Sequence, residues 1–152
     1  MKYRKDEINK FLEGNSFAFY GISAERNKFG NIAFKHLIKN GYKVYPVHSN
    51  IEEIESIKCY KDIFSITDKP SGAIIMLSPA NTEKVLPDIA MAGIKKVWIQ
   101  QKSESENAIA YCKDNGIEVI YGHCILMFTE PVLGFHKFHR WVTKLTGSYP
   151  SD

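Results

Sequence analysis

The chain has 152 residues, the length of one ordinary domain with room for a substantial core. Its 20 Lys and Arg against 17 Asp and Glu leave a net charge of +3 with no long single-sign block, too mild for a nucleic-acid-binding surface. No apolar run reaches the roughly 20 residues of a membrane-spanning helix. Cys59, Cys112 and Cys124 form no CxxC pair and no secretory leader opens the sequence, so a soluble cytoplasmic protein with reduced thiols is expected.

Asp6 to Glu13 predicts a short amphipathic helix, with Ile8, Phe11 and Leu12 three and four apart on one face and Gly14-Asn15 as its stop. Phe17 to Tyr20 is an apolar strand that breaks at Gly21-Ile22-Ser23. After Ala24 to Lys28, a helix is expected from about Asn31 to Asn40, with Ile32, Phe34, Leu37 and Ile38 inward and Gly41 ending it. Lys43 to Val47 is the second strand, followed by the polar junction His48-Ser49-Asn50. Ile51, Ile54 and Ile57 then recur every three residues up to Cys59-Tyr60, and Ile63 to Ile66 leads to the breaker Lys69-Pro70-Ser71.

The second half alternates more cleanly. Ala73 to Leu77 is an uninterrupted apolar run suited to a strand buried on both faces; Ser78-Pro79 ends it, and a helical period runs from Thr82 to Met91. Lys96 to Gln100, a helix over Ser103 to Asn115, and Ile117 to Tyr121 follow. A last helix is expected over about 131 to 146, with Phe135, Phe138 and Trp141 on its apolar stripe. Parallel strands need helical crossovers, so this order predicts a single α/β domain over residues 1–152. Its core is a doubly wound parallel five-stranded sheet in three α/β/α layers.

A buried strand that ends at a glycine and restarts as a helix leaves backbone N–H groups aimed at one spot, where the helix dipole adds positive charge. That spot suits a phosphate, and Ser23, Arg26 and Lys28 add a hydroxyl and two cations. In an open parallel sheet, ligands sit beyond the strand carboxyl ends. The candidate binding residues there are Gly21, Ile22, Ser23, Ala24, Arg26, Lys28 and Gly30 in the first loop, and Val47, His48, Ser49 and Asn50 after the second strand. Ser78 and Pro79 follow the third, and Ile99, Gln100, Gln101 and Cys124 end the last two. The chain has neither GxGxxG nor an acid ending its second strand, which disfavours NAD and suits a ligand phosphorylated on its ribose.

The ordered set Gly21-Ile22-Ser23, Phe29-Gly30-Asn31, Gly41-Tyr42-Lys43-Val44-Tyr45-Pro46-Val47-His48, Cys59-Tyr60, Val97-Trp98-Ile99-Gln100 and His123-Cys124 resembles the small stand-alone CoA-binding proteins. These are relatives of the N-terminal domain of the succinyl-CoA synthetase alpha subunit. The resemblance implies a Rossmann-like fold binding coenzyme A. It places the CoA phosphates at Ser23 to Arg26, the adenosine end toward His48 to Asn50, and the pantetheine toward Ile99 to Gln101. Ser49 and Ile125 stand where such proteins often carry proline. The synthetase's second domain and partner subunit have no room in 152 residues, so ligase activity is not implied.

Two other chemistries are weighed. Cys124 beside His123 suggests a thiol nucleophile with a base, although neighbours on a strand point to opposite faces. His136 and His139 share a helix face but lack a third metal ligand, so no metal site is assigned. The expectation is non-catalytic binding of CoA or an acyl-CoA. The alternatives are an NADP-type oxidoreductase, a Cys-dependent acyl transferase, or an interaction protein with a degenerate pocket.

Overall fold

In the computed structural model, residues 3–129 are described. The helix expected over 131–146, with His136 and His139, lies outside them.

Five strands form one parallel sheet: β1 (Ser16–Tyr20), β2 (Lys43–Val47), β5 (Gly72–Ile75), β6 (Lys96–Gln100) and β7 (Glu118–His123). Their order is β2-β1-β5-β6-β7, so the chain winds outward from β1 in one direction and then crosses back to build the other half. The reversal falls between β1 and β5, the place where ligands bind in open sheets of this kind.

Alternation along the strands divides the core in two. Phe17, Phe19, Ile74, Trp98 and Ile120 face α1 (Lys5–Leu12) and α2 (Phe29–Lys39), together with a 3-10 turn at Ile125–Met127. Ala18, Tyr20, Ile75, Val97 and Ile99 face the opposite cluster, which holds Leu86 and Ile89 of α3 (Pro79–Met91) and Ala108 and Cys112 of α4 (Glu106–Asp114). The fold is therefore the expected three-layer Rossmann-like sheet. Pro46 is tolerated because β2 is an edge strand, and its carbonyl accepts from Tyr60 N–H at 2.8 Å.

Some local readings change. Ser78-Pro79 starts α3 rather than merely ending a strand: Ser78 Oγ accepts from Asn81 N–H, and Pro79 occupies the first helical position, where its missing N–H costs nothing. Ile32, expected inward, is 43% exposed on α2. The three-residue spacing of Ile51, Ile54 and Ile57 belongs to a hairpin of β3 (Glu53–Ile54) and β4 (Ile57–Lys58). Its turn residues Glu55 and Ser56 have φ of 50° and 61°, as a two-residue turn with both central residues left-handed requires. Ser56→Gly should raise stability by about 0.5–1 kcal/mol by removing a Cβ from a left-handed backbone, measured as a higher midpoint in urea.

His36 on α2 is buried, and its Nε2 lies 2.9 Å from Thr129 Oγ1, which fastens the segment after β7 to that helix. Burial holds the imidazoles of His36 and His123 below their ordinary pKa, and Lys39 adds to the effect at His36. The unfolded chain therefore gains protons that the folded chain refuses as pH falls through about 6.5. Stability is full above that pH and declines below it. Denaturation midpoints should fall between pH 8 and pH 5.5, and His36→Gln should show a smaller fall.

Candidate functional site

The turn from β1 into α2 is built on close backbone approach. Gly21 has φ of 145°, and a Cβ there would stand 2.8 Å from both Cβ and O of Met76, the residue following β5. A Cβ on Gly30 would overlap the Gly21 carbonyl oxygen. Two glycines thus let the start of α2 lie directly against the turn.

Asn31, 3% exposed, holds the loop between them. Its Oδ1 accepts from Ser23 N–H at 2.9 Å, and its Nδ2 donates to the carbonyls of Ser23 (2.8 Å) and Glu25 (3.1 Å). Ser23 Oγ accepts from Glu25 N–H, and Lys28 N–H donates to Glu25 O. These bonds leave the N–H groups of Ala24, Arg26, Asn27 and Gly30 without an acceptor among the described residues. Arg26 is exposed, while Lys28 reaches Glu25 at 3.4 Å in an exposed pair that is worth little in water. Unpaired N–H groups, a helix N-terminus and cations together form an anion-receptive surface.

At the end of β2, His48 Nδ1 accepts from the N–H groups of Asn50 (3.0 Å) and Ile51 (3.1 Å), so the ring shapes the junction and its Nε2 is left to carry the proton. Ser49 and Asn50 are exposed there. The β3–β4 hairpin lies beyond, tied to α2 by Lys35 and Glu55 at 3.0 Å. After β5, Ser78 and Pro79 are exposed.

The ends of β6 and β7 differ from expectation. Ile99 is fully buried, facing α3 and α4, and Gln100 is also buried, its Oε1 accepting from Ile125 N–H at 3.1 Å. That N–H is the group a proline at 125 would lack. Gln101 is exposed and its N–H donates to His123 O. Ile22, Gly30, Val47 and Cys124 are likewise buried behind the edge. The rim of the carboxyl edge carries Ala24, Arg26, Lys28, Ser49, Asn50, Ser78, Pro79 and Gln101 exposed and Ser23 and His48 half-buried, around the Gly21 turn.

Burial pushes the Cys124 thiol above its ordinary pKa, with smaller opposing effects from the Gln100 side chain and from backbone groups at Leu126 and Met127. His123 packs its ring against Tyr3 and Phe128, and its Nε2 is buried without a hydrogen-bond partner. Among the described residues no group of three His, Cys, Asp or Glu side chains is arranged to hold a metal, and no helix is long and apolar enough to cross a membrane.

Sequence reasoning missed Asn31, which had a signal, a polar residue on the inward side of a helix start, next to a glycine. A groove of about 460 Å³ elsewhere, between α1 and the strands β6 and β7, carries Arg4, Lys10 and Lys96 against Asp6, Glu7 and Glu118. Equal charges of both signs give it no preferred ligand.

Comparison with known proteins identifies the family. Residues 15–130 match the sequence family described as CoA binding domain. The ADP-forming acetate–CoA ligase of Methanocaldococcus jannaschii is 32% identical over 103 residues, covering 68% of this chain and 15% of that enzyme. The alpha subunit of ADP-forming acetate–CoA ligase II of Pyrococcus furiosus is 26% identical over 129 residues, covering 78% of this chain and 28% of the subunit. The chain thus spans less than a third of these relatives. A solved structure of a hypothetical protein from Pyrococcus horikoshii superimposes with a TM-score of 0.78 at 28% identity, covering 85% of this chain and 92% of that one.

Removal of the Asn31 side chain should unfasten the loop. We expect Asn31→Ala to cost about 1–3 kcal/mol, because the three part-buried hydrogen bonds of this side chain to Ser23 and Glu25 are lost. Chemical denaturation measures this directly.

Proposed function

The chain belongs to the CoA binding domain family, and on that premise we propose that it binds coenzyme A or an acyl-CoA at the carboxyl edge of the sheet without transforming it. The observation that carries the reading is the loop between Gly21 and Gly30. It is fixed internally by Asn31 and presents four unpaired N–H groups beside Arg26. A preorganised loop of this kind binds phosphate with little ordering cost. Arg26 and Lys28 meet the phosphates, the His48–Asn50 junction takes the adenosine end, and Gln101 marks the pantetheine side. The ligases named above are larger, and this chain corresponds to the part that would hold CoA.

The state of Cys124 supports binding over acyl transfer. A nucleophilic cysteine needs a lowered pKa and an accessible sulfur. This thiol is buried and its pKa is raised.

Calorimetric titration with CoA, dephospho-CoA and NADPH tests the reading. CoA should bind more tightly than dephospho-CoA, NADPH should bind weakly, and affinity should fall with salt, since exposed charges are screened over about 8 Å at physiological ionic strength. Gly21→Val should abolish binding. Cys124→Ser should change CoA affinity by no more than about tenfold, and iodoacetamide should label Cys124 slowly. Rapid labelling with acyl transfer onto this sulfur would favour the transferase.

A further inference from the structure

Among the described residues, large apolar side chains are exposed at Phe29, Ile32, Phe64 and Met91. Phe64, 54% exposed, lines a groove of about 230 Å³ between residues 63–70 and the end of α3, together with Ile66, Pro70, Ala92 and Ile94. Met91, 77% exposed and next to Ala92, carries the apolar surface onto the end of the helix. The groove is smaller than the roughly 300–1,000 Å³ of small-molecule sites. It suits one large side chain of a protein partner, the way interface anchors are seated.

The two ends of this surface carry opposite charges. Lys69 lines the groove beside Gly93, where a Cβ on the glycine would stand 3.0 Å from Lys69 Nζ. Both residues lie just before β5 and β6, so this end is at the amino edge of the sheet. Asp88 is exposed on α3, one turn before Met91 and nearer the other edge. Its reach is marked by Tyr20, the last residue of β1, whose hydroxyl is held above its ordinary pKa by burial and then by the charges of Asp88 and Asp62. Asp62 is engaged, accepting from the Ser65 N–H and hydroxyl at 2.9 Å. Asp88 and Lys69 form no ion pair among the described residues.

An acidic partner would leave Asp88 unanswered, and a basic one would leave Lys69. A surface with an apolar centre and opposite charges at its two ends is complementary to itself after a half rotation, the condition for a two-fold interface. We propose that this groove is a homodimer contact in which a second copy of the chain lies antiparallel across it. Phe64 and Met91 of each copy pack on the apolar centre of the other, and Asp88 of each copy meets Lys69 of the other. Burial of the apolar side chains drives the association, while the exposed ion pairs contribute little energy and set the register. The proposal is independent of the CoA-binding reading and adds a protein partner to it.

Sedimentation equilibrium of the full chain over a range of concentrations, with circular dichroism to confirm the fold of each variant, tests this. The wild type should show a monomer–dimer equilibrium. Phe64→Asp and Met91→Asp change exposed positions and should each weaken dimerisation at least about tenfold. Asp88→Lys and Lys69→Asp should each weaken it about tenfold, because each sets like charges together twice per dimer. The double variant Asp88→Lys/Lys69→Asp re-forms the pairs with their signs exchanged and should return to within about threefold of the wild type. A monomer at every concentration overturns the proposal, as does a dimer whose affinity none of these variants changes. Losses in the single charge variants that the double variant does not restore overturn the antiparallel pairing.

Discussion

The approach of Gly30 to the Gly21 carbonyl sets the geometry on which the edge depends. Because neither position has room for a Cβ, α2 begins directly against the turn from β1. The start of α2 then lies at the carboxyl end of the sheet. The same turn abuts Met76 after β5, so it sits where the strand order reverses. One backbone contact thereby couples sheet topology to the only chemistry the loop has to offer, a set of donors for an anion.

Close approach alone would leave the eight-residue connection between β1 and α2 free to wander. Asn31 removes that freedom with three hydrogen bonds from one buried side chain. Gln100 acts similarly at the far side, accepting from Ile125 N–H while the adjacent backbone ties the ends of β6 and β7 together. His48 does so at the end of β2. Three polar side chains along the carboxyl edge of the sheet are thus used to hold backbone. Loops fixed before the ligand arrives lose less entropy on binding, which favours affinity without many direct side-chain contacts.

The fold was legible because its signals are local and repeated. Apolar runs such as Ala73–Ile75 and Val97–Ile99 are buried on both faces, and each is followed by a helical period with its own stop. The glycine break at Gly21 was legible for the same reason. What escaped depends on long-range placement. Ile99 and Gln100 lie at a strand end by sequence, yet the pleat turns one into the core and the fold gives the other a backbone partner twenty-five residues away. The spacing of Ile51, Ile54 and Ile57 looked periodic because a hairpin with a two-residue turn brings its flanking residues to one side. Only the left-handed φ of Glu55 and Ser56 reveals it.

Burial of His123 and Cys124 bears on chemistry as well as on packing. Desolvation disfavours the charged form of each, raising the thiol and lowering the imidazole. An activated pair needs the reverse, a thiolate stabilised by an imidazolium. The same surroundings that pack Tyr3, His123 and Phe128 around the end of β7 therefore hold both groups neutral near pH 7. Exposing them would require opening the α1 face, which also holds Phe11 against Phe17 and Trp98. The cost of ionising this pair is thus tied to the core of the domain, while the anion-receptive loop lies at the surface and needs no such opening. The physics of the edge favours holding a ligand by its phosphates over attacking it.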